Sequence, residues 1–261
     1  MTERNGLFST EDWVNFLKEQ AHHTKEYRYN LYEKVDVKTK RNILDAGCGT
    51  GVITYDIASL TTGDVTGIDI DSEKLEHAKL LLSGTSVNLI QANVLQLPFK
   101  DETFDLVLFS VLLMHVKNQQ RAVNEMTRVT KKNGIVLATM ESDHAGALYY
   151  PDSKVHPLFL KDLEEMGSDQ CMGRKLKYLF GNAGLRTEIG LSTHVFDVMN
   201  KSITEQLTEF LNRFWVAEKL FYKNEWTEKQ IEDYRQEQIE LIENGLNFHF
   251  LPVFYAIGKK E

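Results

Sequence analysis

The sequence predicts an α/β fold: a doubly wound, mostly parallel seven-stranded sheet with an N-terminal helix and a helical insertion acting as a cap. Three observations predict it. Short apolar runs alternate with helical periodicities through the first half of the 261-residue chain. A glycine-rich turn follows the first of those runs. A charged, aromatic-studded helical stretch separates the last two strand-like runs and supplies the cap.

Ser9–Lys34 reads as helix, with Ser9 and Asp12 as a capping box and Trp13, Phe16, Leu17 and Ala21 as its apolar stripe. Asn42–Ala46 is the first strand, and after the glycine turn a helix runs through Val52, Ile53, Ile57, Ala58 and Leu60. Asp64–Asp69 is the second strand, and Ser72 is expected to cap the helix after it. Val87–Gln91 and Phe104–Phe109 are the third and fourth strands, and a helix spans about Asn118 to Val129. Asn133-Gly134 signals a turn before the fifth strand, Ile135–Met140. Arg174–Asn182 reads as helix, ending near a left-handed Gly184. Leu185–Val198 is a sixth strand, Lys201–Asn244 one or two long helices, and Asn247–Lys260 a last strand in which Pro252 favours an edge or a bulge. The organisation expected is an N-terminal helical cap (1–40), a Rossmann-like α/β core (41–198), a helical insertion or lid (199–246) and the last core strand (247–261).

Composition narrows the function. Apolar residues make up 42% of the chain, enough for a sizeable core, and the net charge of −8 with a pI near 5.6 argues against a polyanion partner. The longest apolar run, Leu106–Met114, is too short to span a bilayer. Two distant cysteines, Cys48 and Cys171, give neither a disulfide framework nor a cysteine-rich metal site. Other metal-binding motifs are missing too, so no metal is expected. The first residues lack the apolar core of a signal peptide, and the expectation is a cytoplasmic protein with no membrane partner.

The strongest motif is Ile43–Gly51, ILDAGCGTG. A strand ends at Asp45, and Gly47, Gly49 and Gly51 let the chain turn into a helix with its backbone bare to a ligand. The spacing is G-x-G-x-G, not the G-x-G-x-x-G of dinucleotide sites. Asp45 would repel a pyrophosphate, and a cationic or zwitterionic ligand suits it better.

ILDAGCGTG resembles the first motif of class I S-adenosylmethionine-dependent methyltransferases of the type 11 group. Gly67–Asp71 resembles their second motif, Asn93–Phe99 the loop after their third strand, Phe104–Val116 their fourth strand, and Arg128–Thr139 the entry to their fifth. The resemblance is specific from about Arg41 to Met140. It implies S-adenosylmethionine as cofactor, with Asp45, Gly47 and Gly49 in the loop and Asp69 on the ribose hydroxyls. It also implies Ile70 against the adenine face, Asn93 and Val94 at the adenine edge, and the Ser110 carbonyl at the methionine amino group. Asn93 stands where the family usually has Asp; either side chain accepts a hydrogen bond. Tyr27, Arg28 and Tyr29 precede the first strand, where similar enzymes cover the methionine end, so Tyr27 joins the cofactor set.

Methyl transfer from a sulfonium needs alignment, exclusion of water and, for an amine or hydroxyl acceptor, a base. Candidates follow the fifth strand: Glu141, Asp143, His144, Tyr149, Tyr150 and His156. His144 is the choice for acid–base or acceptor contact. His115 reads as a hydrogen-bonded turn residue. The leading expectation is a methyltransferase on a small-molecule O, N, S or C acceptor. Its rivals are a protein or RNA methyltransferase, a non-catalytic nucleotide-binding or assembly subunit, and an NAD-dependent oxidoreductase.

Overall fold

The computed structural model describes residues 18–192 and 200–261. The Ser9–Asp12 capping box and the end of the expected sixth strand lie outside them. The helices are α1 (Lys25–Lys34), α2 (Val52–Leu60), α3 (Ser72–Leu81), α4 (Gln119–Val129), α5 (Val155–Glu165), α6 (Met172–Asn182), α7 (Ile203–Lys223) and α8 (Glu228–Glu243). The strands are β1 (Asn42–Ala46), β2 (Asp64–Asp69), β3 (Asn88–Gln91), β4 (Phe104–Ser110), β5 (Thr130–Ser142), β6 (Leu148–Tyr150), β7 (Leu185–Leu191), β8 (Phe248–Phe250) and β9 (Val253–Lys260).

Seven strands form one sheet in the order β3-β2-β1-β4-β5-β9-β7, and β6 pairs with β8 in a separate two-stranded sheet. Pairings from β3 to β5 are parallel, while β9 runs antiparallel to both β5 and β7. A parallel sheet needs crossovers, and helices cover both its faces. Alternation along the strands sorts the core. Leu44, Val107, Phe109, Val136 and Ala138 face α4 and α6. Ile43, Val65, Leu106, Leu108 and Leu137 face α1 and α2, with Tyr32 and Ile57 closing that layer.

Local chemistry explains most boundaries. Asn118 caps α4 by accepting the Arg121 N–H, and Gly184 leaves α6 at φ +77°. The cap of α3 differs from expectation: Asp71, not Ser72, accepts the Glu73 and Lys74 N–H groups, which puts Ser72 inside the helix. The expected last strand is also two strands. Pro252 has no N–H to give a ladder, and the chain breaks there between β8 and β9. The insertion folds on itself. Phe214 and Phe221 of α7 pack against Ile231 and Tyr234 of α8, with Trp226 between them and Val155 and Leu158 of α5 alongside. Phe210 and Ala217 join that cluster, whereas Leu211 is exposed.

Candidate active site

Asp45 is the last residue but one of β1 and is 2% exposed. It shares the strand face of Ile43, beneath α1 and α2. Its Oδ2 accepts the Thr54 hydroxyl at 2.6 Å. Burial pushes its pKa up to about 7; the Thr54 hydrogen bond pulls it back, Asp69 raises it and Arg28 lowers it. A carboxylate left so poorly compensated favours a cationic neighbour.

The turn beyond it is fixed by the Gly47 and Cys48 N–H groups, which both donate to the Ile68 carbonyl at 2.8 Å. Gly49 sits at φ +53°, and a Cβ built on it would meet nothing within 4 Å. Bare backbone therefore opens on free space at that point. Gly47 differs, since a Cβ there would lie 2.7 Å from Leu112 Cδ1. The turn after β4 rests directly on the glycine loop.

Asp69 ends β2. Its Oδ2 accepts the Gly49 N–H and its Oδ1 the Asp71 N–H, each at 2.9 Å. Both oxygens keep lone pairs for further hydroxyl donors. Ile70 beside it is 51% exposed, an apolar face next to an acceptor pair. Gln91 Nε2 donates to the Ile70 carbonyl at 3.0 Å and steadies that loop. Asn93 is exposed, and its Oδ1 caps its own turn by accepting the Leu95 N–H at 2.9 Å. The Val94 side chain is buried in the core, so any ligand contact from Val94 is through its backbone. Ser110 ends β4, half-buried.

Tyr27 lies in a buried cluster with Leu31, Met140 and Val253. Burial pushes its phenol well above the ordinary range. Arg28 is 1% exposed and fully engaged on one side: Nη2 donates to Asp56 at 2.7 Å, and Nη1 to the Ala21 carbonyl at 2.8 Å. That buried pair ties α1 to α2.

Beyond β5 the candidates part company. Glu141 is wholly buried beneath the β4 turn, and Asp143 holds Arg174 bidentately, at 2.5 and 2.6 Å. His144 packs edge-on to Phe159 at 5.0 Å. Burial pushes its pKa down to about 4, helped by His156 and opposed by Asp143, so the ring is neutral at pH 7. His156 Nε2 donates to the His144 carbonyl at 2.8 Å. Tyr149 stacks on His249 at 4.8 Å and leans on His156 at 4.9 Å, whereas Tyr150 is 74% exposed. His115 pairs with Ser168 at 3.1 Å, as a turn residue should. Among the described residues, no three His, Cys, Asp or Glu side chains gather to hold a metal ion.

Sequence reasoning missed His249, Arg174, Gln91 and Leu112. His249 reaches Tyr149 only through the β6–β8 pairing, which joins segments far apart in the chain. Leu112 is an ordinary apolar residue until the fold sets it on Gly47.

The fold is shared with known proteins. Residues 44–138 match the family model described as "Methyltransferase domain". An uncharacterized methyltransferase of Schizosaccharomyces pombe is 32% identical over 156 residues, 54% of this chain and 55% of that protein. Demethylmenaquinone methyltransferase of Staphylococcus aureus is 34% identical over 116 residues, 43% of this chain and 48% of that protein. The chain thus spans about half the length of the curated relatives it matches. Haemonchus contortus phosphoethanolamine N-methyltransferase 2, solved with phosphomonomethylethanolamine and S-adenosylhomocysteine, superposes with a TM-score of 0.60 at 15% identity. That match covers 90% of this chain and 52% of the other, and it shows the shared fold. The fold, and the sequence over residues 44–138, are similar to those of class I S-adenosylmethionine-dependent methyltransferases.

Proposed function

We propose that the chain transfers a methyl group from S-adenosylmethionine to a small-molecule acceptor. One observation carries the reading: a buried, poorly compensated Asp45, the open backbone at Gly49 and the acceptor pair of Asp69 line one end of the sheet. These residues fit a zwitterionic nucleoside. Gly47 and Gly49 bring backbone close, Asp69 accepts ribose hydroxyls, Ile70 covers the base, and Asn93, Val94 and Ser110 supply polar backbone or amide groups. Tyr27 walls the amino-acid end. The bound sulfonium supplies an already activated methyl group. The protein's share is to orient the acceptor in line and keep water out.

The acceptor side is assigned to the loop after β5, with the α7–α8 insertion as its cap. His144, neutral at pH 7, suits hydrogen bonding to an uncharged acceptor; its depressed pKa makes it a weak base toward an amine. A small acceptor is supported by the −8 net charge and by two comparison proteins named for small molecules, demethylmenaquinone and phosphoethanolamine. Among the described residues no helix is long and apolar enough to cross a membrane.

Calorimetry with S-adenosylhomocysteine tests the cofactor half. Saturable binding is expected, weakened by Asp69→Ala through two lost hydrogen bonds to a charged group, on the order of 1.5–3 kcal/mol each. Tight NAD binding without it would overturn the reading. Incubation with labelled S-adenosylmethionine and size-fractionated cell extract tests the acceptor half. Label is expected in the low-mass fraction; label confined to protein or RNA means a macromolecular acceptor.

A further inference from the structure

We propose that Glu141 is a positioning residue that holds the turn after β4 in the shape the cofactor site requires. The proposal rests on the cofactor reading above and concerns a side chain that does not itself reach the glycine loop.

Glu141 sits at the end of β5 and is 0% exposed. Its Oε1 accepts the Leu112 N–H at 2.8 Å and the Leu113 N–H at 3.2 Å. Its Oε2 finds no hydrogen-bond partner. A carboxylate placed so costs free energy, and a buried polar atom left without a partner calls for an explanation. The turn it holds starts under strain. Val111 is β-branched and sits at φ +49°, a region such residues avoid. The Val111 N–H donates to the Met140 carbonyl at 2.8 Å, and Glu141, the very next residue, takes the following N–H groups. The turn is thereby pinned to β5 at consecutive amides.

What the turn carries is the point. Ser110 precedes the strained residue, and Leu112 follows it with its side chain on Gly47. An unbroken line of contacts runs from the buried carboxylate through the Leu112 amide and side chain to the glycine loop. If the turn relaxes, the strain at Val111 is released and Leu112 leaves Gly47. Other charged groups nearby are already spoken for. Asp169 faces Glu141 and is held by Lys175 and by Gln119 at 2.8 Å, while Asp143 on the same strand is paired with Arg174. Burial pushes Glu141 up to about 7, the amides pulling it back and Asp169 raising it. The anchor is therefore strongest when ionised, and it titrates near neutrality.

Two measurements test this. Glu141→Gln keeps an oxygen for the amides, whereas Glu141→Leu keeps the volume and loses the acceptor. S-adenosylhomocysteine should bind the Gln variant within about threefold of wild type and the Leu variant at least about tenfold more weakly. Equal binding by a folded Leu variant would overturn the proposal. The second measurement needs no variant. The Leu112 and Leu113 amide resonances of the wild-type protein report the titration of Glu141. Linkage requires S-adenosylhomocysteine to lower that midpoint if the ionised anchor favours the bound shape. A midpoint indifferent to the ligand overturns the proposal even where the Leu variant fails to fold. Absence of binding by wild type fails the cofactor reading instead, so the two failures are distinct.

Discussion

Asp45 has two opposing obligations. Burial favours its protonated form, and a positively charged ligand favours its ionised form. The folded state holds the Asp45 proton up to about pH 7 against an ordinary value of 3.8. Between those values the folded protein binds more protons than the unfolded chain, so stability falls as pH rises through that window and levels off above it. Ligand affinity runs the other way. A cationic group beside Asp45 stabilises the carboxylate, so affinity for S-adenosylmethionine should rise by up to about tenfold per pH unit below pH 7 and then level off. Calorimetry at pH 6 in buffers of different ionisation enthalpy should detect proton release on binding. Asp45→Asn should reduce that release to the share given up by Glu141, and a release unchanged in the variant would assign the proton elsewhere. The glycine loop and the acids Asp45 and Asp69 were legible from the sequence because each answers a local demand at a strand end. The double duty of Asp69, which holds the Gly49 and Asp71 amides, was not legible, since it depends on where the two loops meet.

At the scale of elements, the insertion carries its own small core. Phe221 is 0% exposed, stacks on Trp226 at 4.2 Å and meets Tyr234 edge-on at 5.0 Å. The stripe on α7 is thus satisfied by α8 and α5, and does not depend on the cleft. Phe221→Ala should cost about 3–5 kcal/mol of cap stability, read by hydrogen exchange on α7 and α8. S-adenosylhomocysteine affinity should stay within about threefold. A parallel collapse of affinity would show the cap and the cofactor core to be one cooperative unit. Periodicity revealed that α7 had an apolar face, as Phe210, Phe214 and Ala217 recur at helical spacing. It was silent on what the face meets, because the spacing is the same for a lid and for a bundle. Pro252 gave a similar half-answer. Its missing N–H forecast a disturbed strand, but the departure of β8 to pair with β6 depends on a partner about a hundred residues earlier.

For the whole molecule, the parallel direction of the strands and their cover of helices follow from the alternation of strands with helices, which is why that part of the fold could be read in advance. The absence of metal-ligand motifs carries a corresponding expectation: a chelator should leave methyl transfer unchanged. Loss of activity restored by a divalent ion would contradict it. The place of β9 was harder to foresee, because nothing local says that a late strand slots between β5 and β7. That placement governs assembly. In the main sheet β7 has a single neighbour, and that neighbour is β9, made some sixty residues later. During synthesis β7 must wait outside the sheet, its ladder groups unmatched, and β5 also lacks its second partner, while the whole insertion is produced. Sheet completion is therefore a late, long-range closure, of the kind that slows folding and exposes edges to wrong partners. The two cap helices, which close their contacts with each other locally, are free to form first.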